Sequence, residues 1–243
     1  MKTKAHTKSR MKSAPKPAKP EMAMTKPPAK RRVILVEDHP MTREGLAAII
    51  NRQADLEVCG EASNPAEALS ELSKLKPDLM VTDLTMAGRS GIEFLKDVHA
   101  LLPGMPMLVL SMHDEMLYAE RALRAGARGY LMKDAGSAKV LEVLRLILNG
   151  QSYVSPKMSV RLLDALTGRR PRGSTSPIEK LSDREFEVFQ LLGSGKSTKD
   201  VARLLHLSPK TVAVHRGAIK EKLQVTNVLH YAAHWVASQA ARS

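Results

Sequence analysis

From Val33 onward the apolar positions follow two habits in alternation. Short unbroken runs, Val33-Ile34-Leu35-Val36, Leu79-Met80-Val81 and Met107-Leu108-Val109-Leu110, are separated by longer stretches whose apolar residues recur at helical spacing. The pattern predicts strands over 33–37, 57–61, 79–82, 106–111 and 128–132, and helices over about 41–53, 65–75, 90–101, 115–125 and 137–149. Local chemistry marks the helix ends. Pro40 opens one helix, Asn64-Pro65 supplies a cap and a first-turn proline for the next, and the stripe Ala122, Leu123, Ala125 stops at Gly126. Strands that are apolar on both sides, alternating with amphipathic helices, require a parallel sheet covered on both faces. Residues 33–150 are therefore expected to form a doubly wound, flavodoxin-like α/β domain around a five-stranded parallel sheet.

The pattern changes after Gly150. A helix over 156–166 gives way to a Gly/Pro/Ser/Arg run over 168–177, so 151–177 read as a helix and a linker. Four helical segments follow in an all-α domain over 178–243, at about 183–193, 198–205, 209–223 and 227–240. Ser182 and Glu185 have capping-box spacing, Gly193 and Gly195 part the first helix from the second, and Ser208-Pro209 opens the third. Two short helices joined by a tight turn make a helix-turn-helix.

Composition narrows the picture. Hydrophobic residues are 43% of the chain and aromatic ones 3%, so both cores must be built from aliphatic side chains. Cys59 is the only cysteine; it rules out an internal disulfide, fits a reducing cytoplasm, and reads as a small buried hydrophobe in a strand. No apolar run approaches the roughly 18 residues of a membrane span, and the basic N-terminus lacks a signal-peptide core, so a cytoplasmic location without membrane contact is expected. The net charge of +13 is unevenly placed: 11 Lys and Arg against one acid over 1–32 (+10), 12 against 17 over 33–150 (−5), and 15 against 7 over 151–243 (+8). Residues 1–32, rich in Lys, Pro, Ala and Ser, read as a disordered basic tail, either simply solvated or adding sequence-blind affinity for phosphates. An acidic middle beside a basic C-terminal region points to a metal-binding or signalling module joined to a nucleic-acid-binding one.

The chemistry gathers at one edge. The first and third predicted strands lead into Glu37-Asp38 and Asp83, and in an open parallel sheet ligands bind outside the carboxyl ends of the strands. Three carboxylates converging there would repel one another unless a hard divalent cation, most simply magnesium, were held among their oxygens. Later strand ends bring Ser111 and Lys133 to the same edge. A carboxylate beside a metal, a hydroxyl and a lysine is a place to accept a phosphoryl group. In the basic half, the 209–223 helix has apolar anchors Val212, Ile219 and Leu223. Its remaining faces offer Lys210, Ala213, Val214 and Gly217 to base edges of double-stranded DNA and Thr211, Arg216, Lys220 and Lys222 to phosphates.

These elements, in this order, resemble the two-component response regulators of the NarL/FixJ family. The resemblance rests on Glu37-Asp38, Asp83, Leu110-Ser111 and Gly126-Ala-Arg-Gly-Tyr-Leu-Met-Lys133 in the first domain. In the second it rests on Leu181-Ser-Asp-Arg-Glu185, Val201-Ala202, Ser208-Pro-Lys-Thr-Val212, His215 and Lys222-Leu223, and together the two sets span everything after residue 32. It implies a receiver domain with Asp83 as phosphoacceptor and Mg2+ held by Glu37, Asp38, Asp83 and the backbone carbonyl of Thr85. Ser111 and Lys133 would meet the phosphoryl oxygens, and Tyr130 would be a switch residue that turns inward as Ser111 moves. Thr85 and His113, flanking the pocket, would tune the phosphoryl lifetime. It further implies a LuxR-type helix-turn-helix, a sensor histidine kinase as phosphoryl donor, and a homodimer when phosphorylated. The protein would be a regulator of transcription and not an enzyme. The alternative is a phosphorylation-independent DNA-binding regulator whose receiver serves as an interaction module. A phosphatase built on Asp83 is disfavoured, because no second acid stands two residues after it. The family's usual proline is replaced by Ala87, which relaxes the loop after Asp83.

Overall fold

The computed structural model describes residues 29–86, 90–168 and 177–240. Most of the basic tail, Ala87 and most of the 168–177 linker lie outside the described residues. The first domain alternates β1 (Arg31–Val36), α1 (Pro40–Asn51), β2 (Leu56–Ala62), α2 (Pro65–Leu75), β3 (Leu79–Thr82), α3 (Gly91–Leu101), β4 (Met107–Ser111), α4 (Glu115–Arg124), β5 (Gly129–Met132) and α5 (Ser137–Leu148). All five strands pair in parallel in the order β2-β1-β3-β4-β5. The sheet starts two residues earlier than the apolar run predicts. Arg31 and Arg32 belong to β1, since they pair in register with Leu56 and Glu57 of β2, and Asp78 accepts both the Arg32 backbone N–H at 2.8 Å and the Arg31 guanidinium at 3.4 Å.

The two faces of the sheet carry different cores. Leu46 and Ile50 of α1 and Val140, Val143 and Ile147 of α5 cover one face with Val33, Leu35 and Val81. On the other, Ala68 and Leu72 of α2, Phe94, Leu95 and Val98 of α3 and Ala119 and Ala122 of α4 cover Ile34, Val36, Met80 and Val109. Helix ends behave as their chemistry requires: Asn64 caps α2 by accepting from the Glu67 N–H, and Gly126 leaves α4 at φ +106°, a region open to glycine.

After α5 the chain returns to the sheet edge, where the Tyr153 carbonyl accepts from the Tyr130 N–H at 2.9 Å, and then forms α6 (Pro156–Leu166). The helical domain comprises α7 (Asp183–Gly193), α8 (Thr198–Leu204), α9 (Pro209–Leu223) and α10 (Val228–Ala240). Ser182 and Glu185 form the full capping box on α7, and Ser208 caps α9 through the Thr211 N–H. Gly193, expected as a break, is the last residue of α7. A Cβ there would lie 2.6 Å from the Ala232 carbonyl, so its absence lets α10 pack closely on α7. Gly195, at φ +78°, makes the turn itself.

The two domains share one apolar cluster, which runs from the α2–α3–α4 side of the sheet through Met158 and Phe186 to Val212 and Ile219. Arg121 of α4 ties them: its guanidinium donates to Asp183 Oδ1 (2.8 Å) and to the carbonyls of Leu181 (3.0 Å) and Ile178 (3.3 Å), and lies 4.6 Å from the Phe186 ring centroid. Lys96 of α3 meets the other oxygen of Asp183 at 2.6 Å. From α6, Arg161 bridges the Met116 carbonyl and Glu179.

Candidate functional site

The order 2-1-3-4-5 reverses direction between β1 and β3, and ligands of such sheets bind at that switch point. Glu37 follows β1 there and Asp83 follows β3, with side-chain exposures of only 3% and 4%. Lys133, directly after β5, joins them: its Nζ lies 2.6 Å from Glu37 Oε2 and 2.8 Å from Asp83 Oδ2. Burial opposes the lysine's charge, but the bonds to Asp83 and Glu37 outweigh it and hold its pKa above the usual lysine value. Ser111, fully buried at the end of β4, accepts from the His113 N–H at 3.2 Å.

Oxygens of Glu37, Asp38 and Asp83 and a nitrogen of His39 all lie within 4.8 Å of one another. Asp38 Oδ1 is buried without a hydrogen bond, although His39 Nδ1 is 2.8 Å away. One lysine among three carboxylates leaves the pocket negative, and an oxygen-rich, negative cluster fits a small hard cation. His39 was not singled out in the sequence.

Tyr130, the switch candidate, stands on β5 with its side chain turned inward. Its ring is wholly buried and its hydroxyl donates to the His113 carbonyl at 2.8 Å; burial pushes its pKa up, against a bond with Ser111. Thr85 is exposed, and its hydroxyl hydrogen-bonds His113 Nε2 at 2.8 Å. Burial lowers the His113 pKa against the pull of Asp83, favouring the neutral ring.

On α9, Val212, Ile219 and Leu223 are buried against α7 and α8, as their spacing predicts. Lys210, Ala213, Val214, Gly217 and Lys220 face solvent, and Val214 is 65% exposed. The receiver leaves this face open. Thr211 and Arg216 are partly buried, with Thr211 Oγ1 2.8 Å from Ser208 Oγ and Arg216 bonded to Thr198 at 3.4 Å. Lys222, expected on phosphates, is exposed and pairs its ammonium with both oxygens of Glu185, at 2.6 and 2.9 Å, which ties α9 to the capped start of α7. That pairing also holds the Glu185 carboxyl below its usual pKa although burial works the other way. Asn227, which the sequence reading passed over, joins Ala213, Arg216, Gly217, Lys220 and Leu229 around a concavity of about 500 Å³.

An acidic pocket at the switch point of such a sheet, joined to a helix-turn-helix, defines a receiver coupled to a DNA-binding domain. Residues 33–145 match the response regulator receiver domain model, and 179–235 match the model of bacterial regulatory proteins of the luxR family. The oxygen regulatory protein NreC of Staphylococcus carnosus is 32% identical over 198 residues, covering 80% of this chain and 91% of that protein. The response regulator GacA of Pseudomonas viridiflava is 33% identical over 196 residues, 81% of this chain and 91% of the relative. Among solved structures, RcsB from Salmonella enterica serovar Typhimurium, bound to promoter rprA in the presence of phosphomimetic BeF3−, superposes with a TM-score of 0.62 at 24% identity, over 84% of this chain and 99% of that one. The chain belongs to the two-component response regulators of the NarL/FixJ type, DNA-binding regulators of transcription. No helix among the described residues is long and apolar enough to cross a membrane.

Proposed function

We propose that this regulator is controlled by phosphorylation of Asp83 by a sensor histidine kinase. The observation that carries the reading is Lys133 bridging Asp83 and Glu37 within the acidic cluster completed by Asp38. Asp83 Oδ attacks phosphorus and takes the phosphoryl group from its donor. Glu37, Asp38, Asp83 and the Thr85 carbonyl would hold Mg2+, which would supply charge neutralisation during phosphoryl transfer. Lys133 leaves its carboxylate partners to meet one phosphoryl oxygen, and the Ser111 hydroxyl donates to another. Tyr130, packed beneath Ser111's loop and bonded to the His113 carbonyl, keeps that loop in register with the pocket.

On the DNA side, Lys210, Ala213, Val214 and Gly217 meet base edges, and Thr211, Arg216 and Lys220 meet phosphates. The phosphorylated chains pair as a homodimer on a two-fold related site in the cytoplasm. The chain acts as a regulator rather than an enzyme.

A second reading has its own support. The DNA-facing side of α9 is solvent-exposed with the two domains docked, which favours a regulator that binds DNA without phosphorylation. Intact-protein mass spectrometry after incubation with acetyl phosphate and Mg2+, with Asp83→Asn alongside, separates the two. One added phosphoryl group, lost in the variant, supports control at Asp83; no addition to the unmodified sequence favours the second reading.

A further inference from the structure

His113 touches Ser111, Thr85 and Tyr130 at the acceptor pocket and one part of the DNA-binding domain's dock. Its backbone N–H donates to Ser111 Oγ, its carbonyl accepts from the Tyr130 hydroxyl, and its ring bonds the Thr85 hydroxyl. The same ring stacks on Tyr118 of α4, with centroids 4.5 Å apart and planes 21° from parallel. Tyr118 reaches into the second domain: its hydroxyl donates to Gln190 Oε1, and its ring meets Phe186 edge-on at 5.2 Å, both residues of α7. Thr85 and Gln190 are thus separated by two stacked side chains.

We propose that His113 is the positioning residue through which the acceptor pocket and the docked DNA-binding domain set each other's state. The inference rests on Asp83 being the phosphoacceptor. A phosphoryl group there draws the Ser111 hydroxyl toward it and crowds Thr85, both direct partners of His113. Ser111 and Tyr130 are wholly buried and Tyr118 nearly so, and packed interiors answer such a push by changing between discrete arrangements rather than by bending gradually. The ring of His113 then shifts against Tyr118, and the Tyr118–Gln190 and Tyr118–Phe186 contacts loosen.

The coupling has a consequence that ordinary packing would not have. Linkage is reciprocal: if a phosphoryl group weakens docking, docking weakens the pocket's hold on a phosphoryl mimic by the same factor. A change in α7, in the other domain, therefore alters chemistry at Asp83, and does so only through His113.

The test is beryllofluoride binding with Mg2+ to the full chain, followed by 19F NMR, with emission of Trp235 as the docking readout. Trp235 is the only tryptophan, packs on Phe186 and Phe189, and lines the cavity between the domains. Gln190→Leu is expected to tighten beryllofluoride binding about fivefold. In a His113→Phe background, which keeps an aromatic ring against Tyr118 but loses the Thr85 bond, the same change should have no effect. Beryllofluoride should change Trp235 emission in the unmodified chain and leave it unchanged in His113→Phe, although the mimic still binds. Thr85→Val removes the bond from its other end and should reproduce the result if His113→Phe fails to fold. Gln190→Leu acting equally in both backgrounds, or not at all, overturns the proposal while leaving Asp83 as acceptor intact. Failure of the unmodified chain to bind beryllofluoride overturns the acceptor reading and this inference with it.

Discussion

Lys133 is the residue on which the pocket's electrostatics turn. Without it, Glu37 and Asp83 face each other as buried like charges, and breaking such an arrangement costs about 3 kcal/mol. Lys133→Ala is therefore expected to lower the thermal midpoint in metal-free buffer. Millimolar Mg2+ should restore more of the loss in the variant than it adds to the unmodified chain, as differential scanning calorimetry would measure. The sign with pH follows from the raised pKa of Lys133: its stabilisation is complete below the unfolded value of 10.5 and fades as pH rises through the folded value. Glu37, Asp38, Asp83, Ser111 and Lys133 were all legible in the sequence because each stands at the end of an apolar run. His39 was not, because its position beside the carboxylates depends on how the chain turns into α1.

At the scale of the element, α9 separates two lysines that look alike in sequence. Lys220 is exposed, whereas Lys222 is ion-paired with Glu185. Lys220→Ala should reduce the salt dependence of duplex DNA binding by about 0.9 in log–log slope, the share of one phosphate contact. Lys222→Ala should leave the slope unchanged and instead lower thermal stability, by about 0.5–1 kcal/mol for a partly exposed pair. Ser208→Ala removes the cap of α9 and should cost about 1 kcal/mol in urea denaturation. Helical periodicity alone located the buried anchors Val212, Ile219 and Leu223. It gave no sign of the partner of Lys222, which comes from a helix 37 residues away in the chain.

In the whole molecule, docking of the two domains rests on Arg121, Asp183 and Lys96 around an aromatic contact, and it leaves the DNA face of α9 open. Control by masking the recognition helix would require that face to be covered. Arg121→Ala should accordingly change Trp235 emission as the domains part, yet leave the affinity for short nonspecific duplex DNA within about the change expected from losing one remote charge. A large gain in affinity, measured by fluorescence anisotropy, would reinstate masking. Acid should also open the dock. Burial raises the Asp183 pKa, but Lys96 and Arg121 lower it further, so its contribution is present above the unfolded value of 3.8 and is lost as pH falls through the folded one. Glu187, close by on α7 with Arg184, Ser90 and Glu93 about it, works the other way, since burial raises its pKa and its proton favours the docked state. Trp235 emission across an acid titration should therefore report undocking only below the range in which Glu187 takes up its proton.

The sequence by itself determined the element order, the two-domain plan and the acidic cluster at the carboxyl ends of the strands, because strand ends, caps and apolar periods are local properties of the chain. What only the tertiary structure decided is how the domains meet. The stack of His113 on Tyr118, the bond from Tyr118 to Gln190 and the seating of Arg121 on Asp183 join residues about 60 to 70 positions apart or bring together neighbours on different elements. No periodicity or motif spacing encodes such contacts. They arise when two amphipathic surfaces, each legible alone, settle against one another with a particular orientation.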